Sequence, residues 1–139
     1  MGKSRYPQRE RRLMVQMVLL IGVGGAIGAI MRYLTGIWVH GLLRNSSFPY
    51  GTLVVNVLGC LLIGALIGIS ETRGELSSGS RAFLIVGLLG GFTTFSTFGY
   101  ETMTLIRDGN LLAGASNAIV HITFGLAAVW IGYAASQHA

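Results

Sequence analysis

The chain has 139 residues, 52% of them hydrophobic and only 11% charged, with a formal net charge of +5. A soluble domain carries about 25% charged residues, so this chain could hardly cover a water-facing surface, and it reads as a single integral-membrane domain. Five of its ten basic residues (Lys3, Arg5, Arg9, Arg11, Arg12) fall in the first twelve positions, which makes a juxtamembrane tail and not a nucleic-acid face.

Residues 1–12 are that basic tail, and residues 13–139 form one four-helix transmembrane domain. An uncharged run from Leu13 to Met31, 19 residues, is long enough to cross a bilayer as helix, and the first span continues past Arg32 to about residue 39. The charge-free residues extend well beyond an ordinary signal core, so the start does not read as a secretory signal peptide. Gly22, Gly24, Gly25 and Gly28 resemble a nucleotide-binding glycine loop only superficially, because no strand precedes them and their surroundings are apolar. Gly24 and Gly28, four apart, give a small face for close helix contact in lipid. Arg32 is the one basic residue embedded between apolar stretches. It either snorkels to the interface or faces a polar interior.

Residues 45–51 read as a turn, with Pro49 and Gly51 in it, and the second span covers about residues 51–70. Thr52, Asn56 and Cys60 share one helical face, and Gly64 and Gly68 form a packing face. An amide at the depth of Asn56 requires a partner: an interhelical clasp is one reading, a pore-lining donor the other. Residues 71–81 form the one clearly polar loop. The third span, about residues 82–106, contains the run from Ala82 to Tyr100 with no charge. Residues 107–110 make a tight turn and the fourth span occupies about residues 111–135, with Ser116, Asn117, His121 and Thr123 as its polar positions. His121 has no second ligand candidate in the membrane and reads as a hydrogen-bonded structural histidine; the lone Cys60 supports neither a disulfide nor a thiolate metal site.

The third span is poor helix in its middle. Gly90 and Gly91, followed by the β-branched Thr93 and Thr94, remove side-chain support from the backbone and offer hydroxyls that compete for its hydrogen bonds. A broken membrane helix is expected there. Carbonyls and amides freed at membrane depth survive only against protein, ions or water, so this is the first place to look for an ion. Phe95 and Phe98 share a face at a spacing of three, Thr97 and Glu101 at a spacing of four. The pair of phenylalanines is open to a reading as core or lipid-facing packing. The N–H and O–H groups of Asn, Ser and Thr and the positive edges of aromatic rings suit a small, hard anion, and the acidic cluster of a cation or proton relay is missing.

Four spans are too few to enclose a path and cover their own polar side chains. A homodimer is therefore expected, with Asn56, Thr94, Thr97 and Glu101 between subunits. Counting basic residues, five in the tail plus Arg73 and Arg81 oppose Arg44 and Arg107, which favours a cytoplasmic amino terminus. Without the tail the difference nearly vanishes, and so little intrinsic bias is compatible with insertion both ways.

Three stretches then carry a resemblance that covers nearly everything after the tail. They hold Gly24, Gly25, Gly28, Arg32 and Tyr33; Gly51, Thr52, Asn56 and Gly59; and Gly87, Gly90, Gly91, Thr93, Thr94, Phe95, Ser96, Thr97 and Phe98. In order and spacing they resemble the signatures of the Fluc (CrcB) fluoride channels. The resemblance implies an all-α membrane fold with four transmembrane helices and a broken third helix, assembled as an inverted, dual-topology homodimer in the plasma (inner) membrane. It implies two fluoride pathways along the interface, touched by Asn56, Phe95, Phe98, Ser96, Thr97, Glu101, Thr52 and Arg32. It also implies a structural sodium ion at the dimer centre, held by backbone carbonyls of Gly90 and Thr93 from each subunit. Asn117 and Thr123 are weaker carry-overs.

The expected activity is passive export of cytoplasmic fluoride down its electrochemical gradient, with membrane lipid, fluoride and sodium as partners and no nucleic acid. A small proton-coupled multidrug exporter is the first rival, but it would want a carboxylate deep in the first span. A non-transporting scaffold is the second. An enzyme is not expected, because His121, Cys60 and the acidic residues make no recognisable constellation.

Overall fold

The computed structural model describes residues 8–43, 46–74 and 76–137. Lys3 and Arg5 of the tail, Arg44, Asn45 and Glu75 lie outside the described residues. Helix α1 runs Gln8–Leu42, α2 Tyr50–Arg73, α3 residues 78–92, α4 Phe95–Arg107 and α5 Leu111–Gln137. Together α3 and α4 form one interrupted span, and no strand occurs among the described residues. Four stretches are long and apolar enough to cross a membrane: Gln8–Leu42, Tyr50–Arg73, Ser78–Arg107 and Leu111–Gln137.

The helices outrun the uncharged runs that announce them. Nothing between Gln8 and Leu13 breaks a helix, so Arg9, Arg11 and Arg12 continue α1 as exposed helical residues. At 1.5 Å per residue α1 is about 52 Å long, well beyond a hydrocarbon layer of about 30 Å. The polar loop after α2 is correspondingly short, since Glu71, Thr72 and Arg73 still belong to α2 and Ser78 already opens α3. Ser77 caps that start, its Oγ accepting from the Ser80 N–H at 3.1 Å. Between α4 and α5 the chain reverses at Gly109, whose φ of 84° lies in the left-handed region that glycine tolerates. Asn110 then caps α5 by accepting from the Ala113 N–H at 3.2 Å.

Helix α3 opens with one α-turn, Ser78–Ser80, widens into a nine-residue π-helix over Arg81–Leu89, and closes on a last turn, Gly90–Phe92. Glycine faces set its packing. A Cβ on Gly87 would lie 2.9 Å from the Ile21 carbonyl oxygen, and one on Gly28 would meet the Leu88 carbonyl and stand 2.8 Å from the Phe92 nitrogen. Contacts advance in the same direction along both helices, so α1 and α3 pack in parallel, backbone against backbone. A second parallel pair joins α2 to α5, where Gly64 faces the Val129 carbonyl and Gly132 the Leu61 carbonyl. This is the close approach that small residues permit in lipid.

Few large side chains are buried. Val55, Leu89 and Phe92 are, whereas Val18, Leu19, Leu34, Leu126 and Trp130 stand outward. An apolar outer surface of this extent suits acyl chains or another subunit.

Candidate functional site

The interrupted span supplies the site. Thr93 (φ −83°, ψ 159°) and Thr94 (φ −152°, ψ 116°) are extended between two helical segments, so the α-helical ladder stops for two residues. The Thr93 N–H still reaches the Leu89 carbonyl at 2.9 Å, and the Thr93 hydroxyl donates to the same carbonyl at 2.9 Å. Thr94 takes its N–H out of the ladder. Its N–H donates to Asn56 Oδ1 at 2.8 Å, and its carbonyl accepts from Asn56 Nδ2 at 3.0 Å. Asn56 is thus an interhelical clasp, with one amide N–H left over.

Thr94 also starts α4. Its Oγ1 accepts from the Thr97 N–H at 3.2 Å and donates to Thr97 Oγ1 at 3.0 Å, the side-chain cap expected of a threonine at a helix start. The two diversions act on the carbonyls four residues back. In a continuous helix the Thr94 N–H would serve the Gly90 carbonyl and the Thr97 N–H the Thr93 carbonyl; here both donors point at side chains. Gly90 is exposed and Thr93 half-buried. These carbonyl oxygens are the donor type that suits a hard monovalent cation. Among the described residues no group of three or more His, Cys, Asp or Glu could hold a metal.

All the expected site residues but Ser96 fall into two clefts that share Thr94. The first, about 690 Å³, is lined by Arg32, Thr52, Thr97 and Glu101 together with the residues joining α1 to α2. Thr52 Oγ1 donates to Glu101 Oε1 at 2.7 Å, while Glu101 Oε2 is buried without a protein partner. Arg32 lines this cleft half-buried and forms no ion pair with Glu101. The second cleft, about 390 Å³, is lined by Asn56, Gly90, Thr93, Phe95, Phe98 and His121, among others. Phe95 is 83% exposed and its ring centroid lies 5.4 Å from that of Phe98. Ser96 lines neither cleft and is exposed, within 3.3 Å of the Thr94 hydroxyl.

Residues 19–133 match the family model described as CrcB-like protein, Camphor Resistance (CrcB). The chain belongs to the CrcB family. It is 42% identical over 118 residues to a protein of Clostridium novyi named fluoride-specific ion channel FluC, covering 85% of this chain and 91% of that one. It is 47% identical over 115 residues to a protein of the same name from Chloroflexus aurantiacus, with coverage of 83% and 90%. A Methanosarcina barkeri protein named fluoride-specific ion channel FluC 3 is 42% identical over 115 residues, with coverage of 83% and 86%. These relatives are ion channels by name and not enzymes. With its four spans, this CrcB chain is a multi-pass membrane protein.

One part of the site in this CrcB chain was not visible in the residue pattern. Thr102 had no distinguishing neighbour in sequence, yet its hydroxyl donates to the Phe98 carbonyl at 2.8 Å and accepts from Asn117 Nδ2 at 2.8 Å. Asn117 is fully buried. A threonine four residues after a site aromatic is the only signal that could have found it.

Proposed function

We propose that this chain is a fluoride-selective channel that passes cytoplasmic fluoride outward, passively, down the ion's electrochemical gradient. The working unit is an inverted homodimer with a structural sodium ion at its centre. Fluoride that enters as the weak acid HF and dissociates inside would leave by this route. The reading is supported by the names of the relatives and carried by one observation, the Asn56 clasp on Thr94, which keeps a span open at membrane depth between two clefts. One cleft offers Arg32 and the Thr97 hydroxyl, whose proton is uncommitted, the other aromatic rings and an unused amide N–H, and these donors suit a small anion exchanging its water for directional partners. The carbonyls of Gly90 and Thr93 would hold the sodium ion, which supplies positive charge that bare peptide oxygens otherwise lack.

A proton-coupled exporter is disfavoured by α1, whose one acidic residue, Glu10, stands in the first turn. The test is fluoride efflux from liposomes bearing the purified protein. Efflux that a membrane potential drives, without a pH gradient, is expected. Chloride leaving as fast as fluoride would defeat the selectivity, and no ion flux at all would leave a scaffold.

A further inference from the structure

A single buried residue is tied to Phe98 by two routes, one ending at its backbone carbonyl and one at its ring. Through the backbone, Asn117 Nδ2 donates to Thr102 Oγ1 at 2.8 Å, and Thr102 donates to the Phe98 carbonyl at 2.8 Å. Through the rings, the Asn117 carbonyl lies 3.0 Å from His121 Nδ1, and the imidazole packs on Phe98 with centroids 4.5 Å apart and planes tilted by 42°. Both routes start at Asn117, which has no solvent exposure. The circuit from Asn117 to Phe98 and back is closed.

The chemistry of the histidine decides what it does there. A carbonyl can only accept, so Nδ1 carries the proton, and the neutral ring has no second N–H. Nε2 is then a lone pair, and it is buried. What the histidine offers is a second ring, against which Phe98 is held at a tilt of 42°. We infer that His121 is a positioning residue: its ring, packed on Phe98, fixes the plane of the Phe98 ring and so the edge that ring presents to the cleft both line with Asn56 and Phe95. The inference rests on the proposed fluoride conduction.

The test compares two substitutions that both fill the site, His121→Phe and His121→Leu, in liposomes loaded with fluoride or chloride. A phenyl ring keeps a ring against Phe98; an isobutyl group does not. His121→Phe is expected to keep the fluoride-to-chloride flux ratio within about threefold of the parent, and His121→Leu to lower it about tenfold. Equal ratios in the two variants overturn the positioning role, as does a parent-like ratio in His121→Leu. A parent protein that passes no fluoride would instead remove the proposed function, so the two failures are told apart in one experiment.

Discussion

Asn56 commits both polar ends of its amide to the backbone of Thr94, accepting from the N–H at 2.8 Å and donating to the carbonyl at 3.0 Å. The side chain thereby does for an extended residue what a neighbouring strand does in a sheet. Without it, the N–H and the carbonyl of Thr94 each lose a partner at membrane depth.

Asn56→Ala is expected to cost about 2–3 kcal/mol, two hydrogen bonds to half-buried backbone groups. Thermal unfolding of the detergent-solubilised protein measures it. An unchanged midpoint would mean that water replaces the amide and that the clasp holds nothing.

The glycine contacts between α1 and α3 separate two positions six residues apart on α1. Gly28→Ala drives a methyl into the Leu88 carbonyl and the Phe92 nitrogen, both backbone atoms that cannot swing aside. The expected cost is about 1–3 kcal/mol, as for overpacking elsewhere. Gly22→Ala meets nothing within 4 Å and should gain up to about 1 kcal/mol of helix propensity. Denaturation of the two variants side by side checks the contrast. Equal behaviour would sink the close approach of α1 and α3.

The break was legible because Gly90, Gly91, Thr93 and Thr94 each weaken a helix for a stated reason, and the reasons coincide over five residues. The π-helix over Arg81–Leu89 was not legible. Its residues are apolar on every face, so a change from four-residue to five-residue hydrogen bonding leaves no mark on their pattern. The helices run on past the charged residues that bound the uncharged runs, at Arg12 and Glu71, since backbone hydrogen bonding continues into water. The division of Thr52, Thr97 and Glu101 from Asn56, Phe95 and Phe98 into two clefts depends on how the chain turns at Thr94, a matter of two dihedral pairs that spacing on a helix cannot express.

Thr52→Val removes the hydroxyl that donates to Glu101 Oε1 while keeping the side-chain volume. Oε2 is already buried and without a partner, so the carboxylate would lose its remaining side-chain contact. A hydrogen bond to a charged group contributes about 1.5–3 kcal/mol, and a stability loss of that size is expected. Thr52→Ser, which retains the donor, should recover most of it. If valine and serine variants unfold together, the hydroxyl is not what matters at this position.

Replacing sodium by a bulky organic cation, with fluoride held constant, addresses the carbonyls of Gly90 and Thr93, which no substitution can delete. A ligand that binds only the folded assembly stabilises it in proportion to the logarithm of its concentration. The midpoint for thermal unfolding should therefore rise with added sodium and not with the organic cation. A midpoint indifferent to sodium removes the ion from the break.

Phe95 and Phe98 share a face of α4 but not an environment, and this sets their variants apart. Phe95 is 83% exposed, with the Phe98 ring as its ring partner at 5.4 Å, so Phe95→Ile removes little packing within the subunit. Phe98 is held between Phe95 and His121, so Phe98→Ile loses ring contacts on two sides, each contributing about 0.5–1.5 kcal/mol beyond its area. Phe95→Ile is expected to lower fluoride flux about tenfold or more with an unfolding midpoint close to that of the parent, because an aliphatic group has no positive edge to present. Phe98→Ile is expected to lower both flux and midpoint. Paired flux and unfolding measurements on the two variants decide it: Phe95→Ile with undiminished flux would place that ring outside the path, and the exposed phenylalanine would then be a surface for lipid or a second subunit alone.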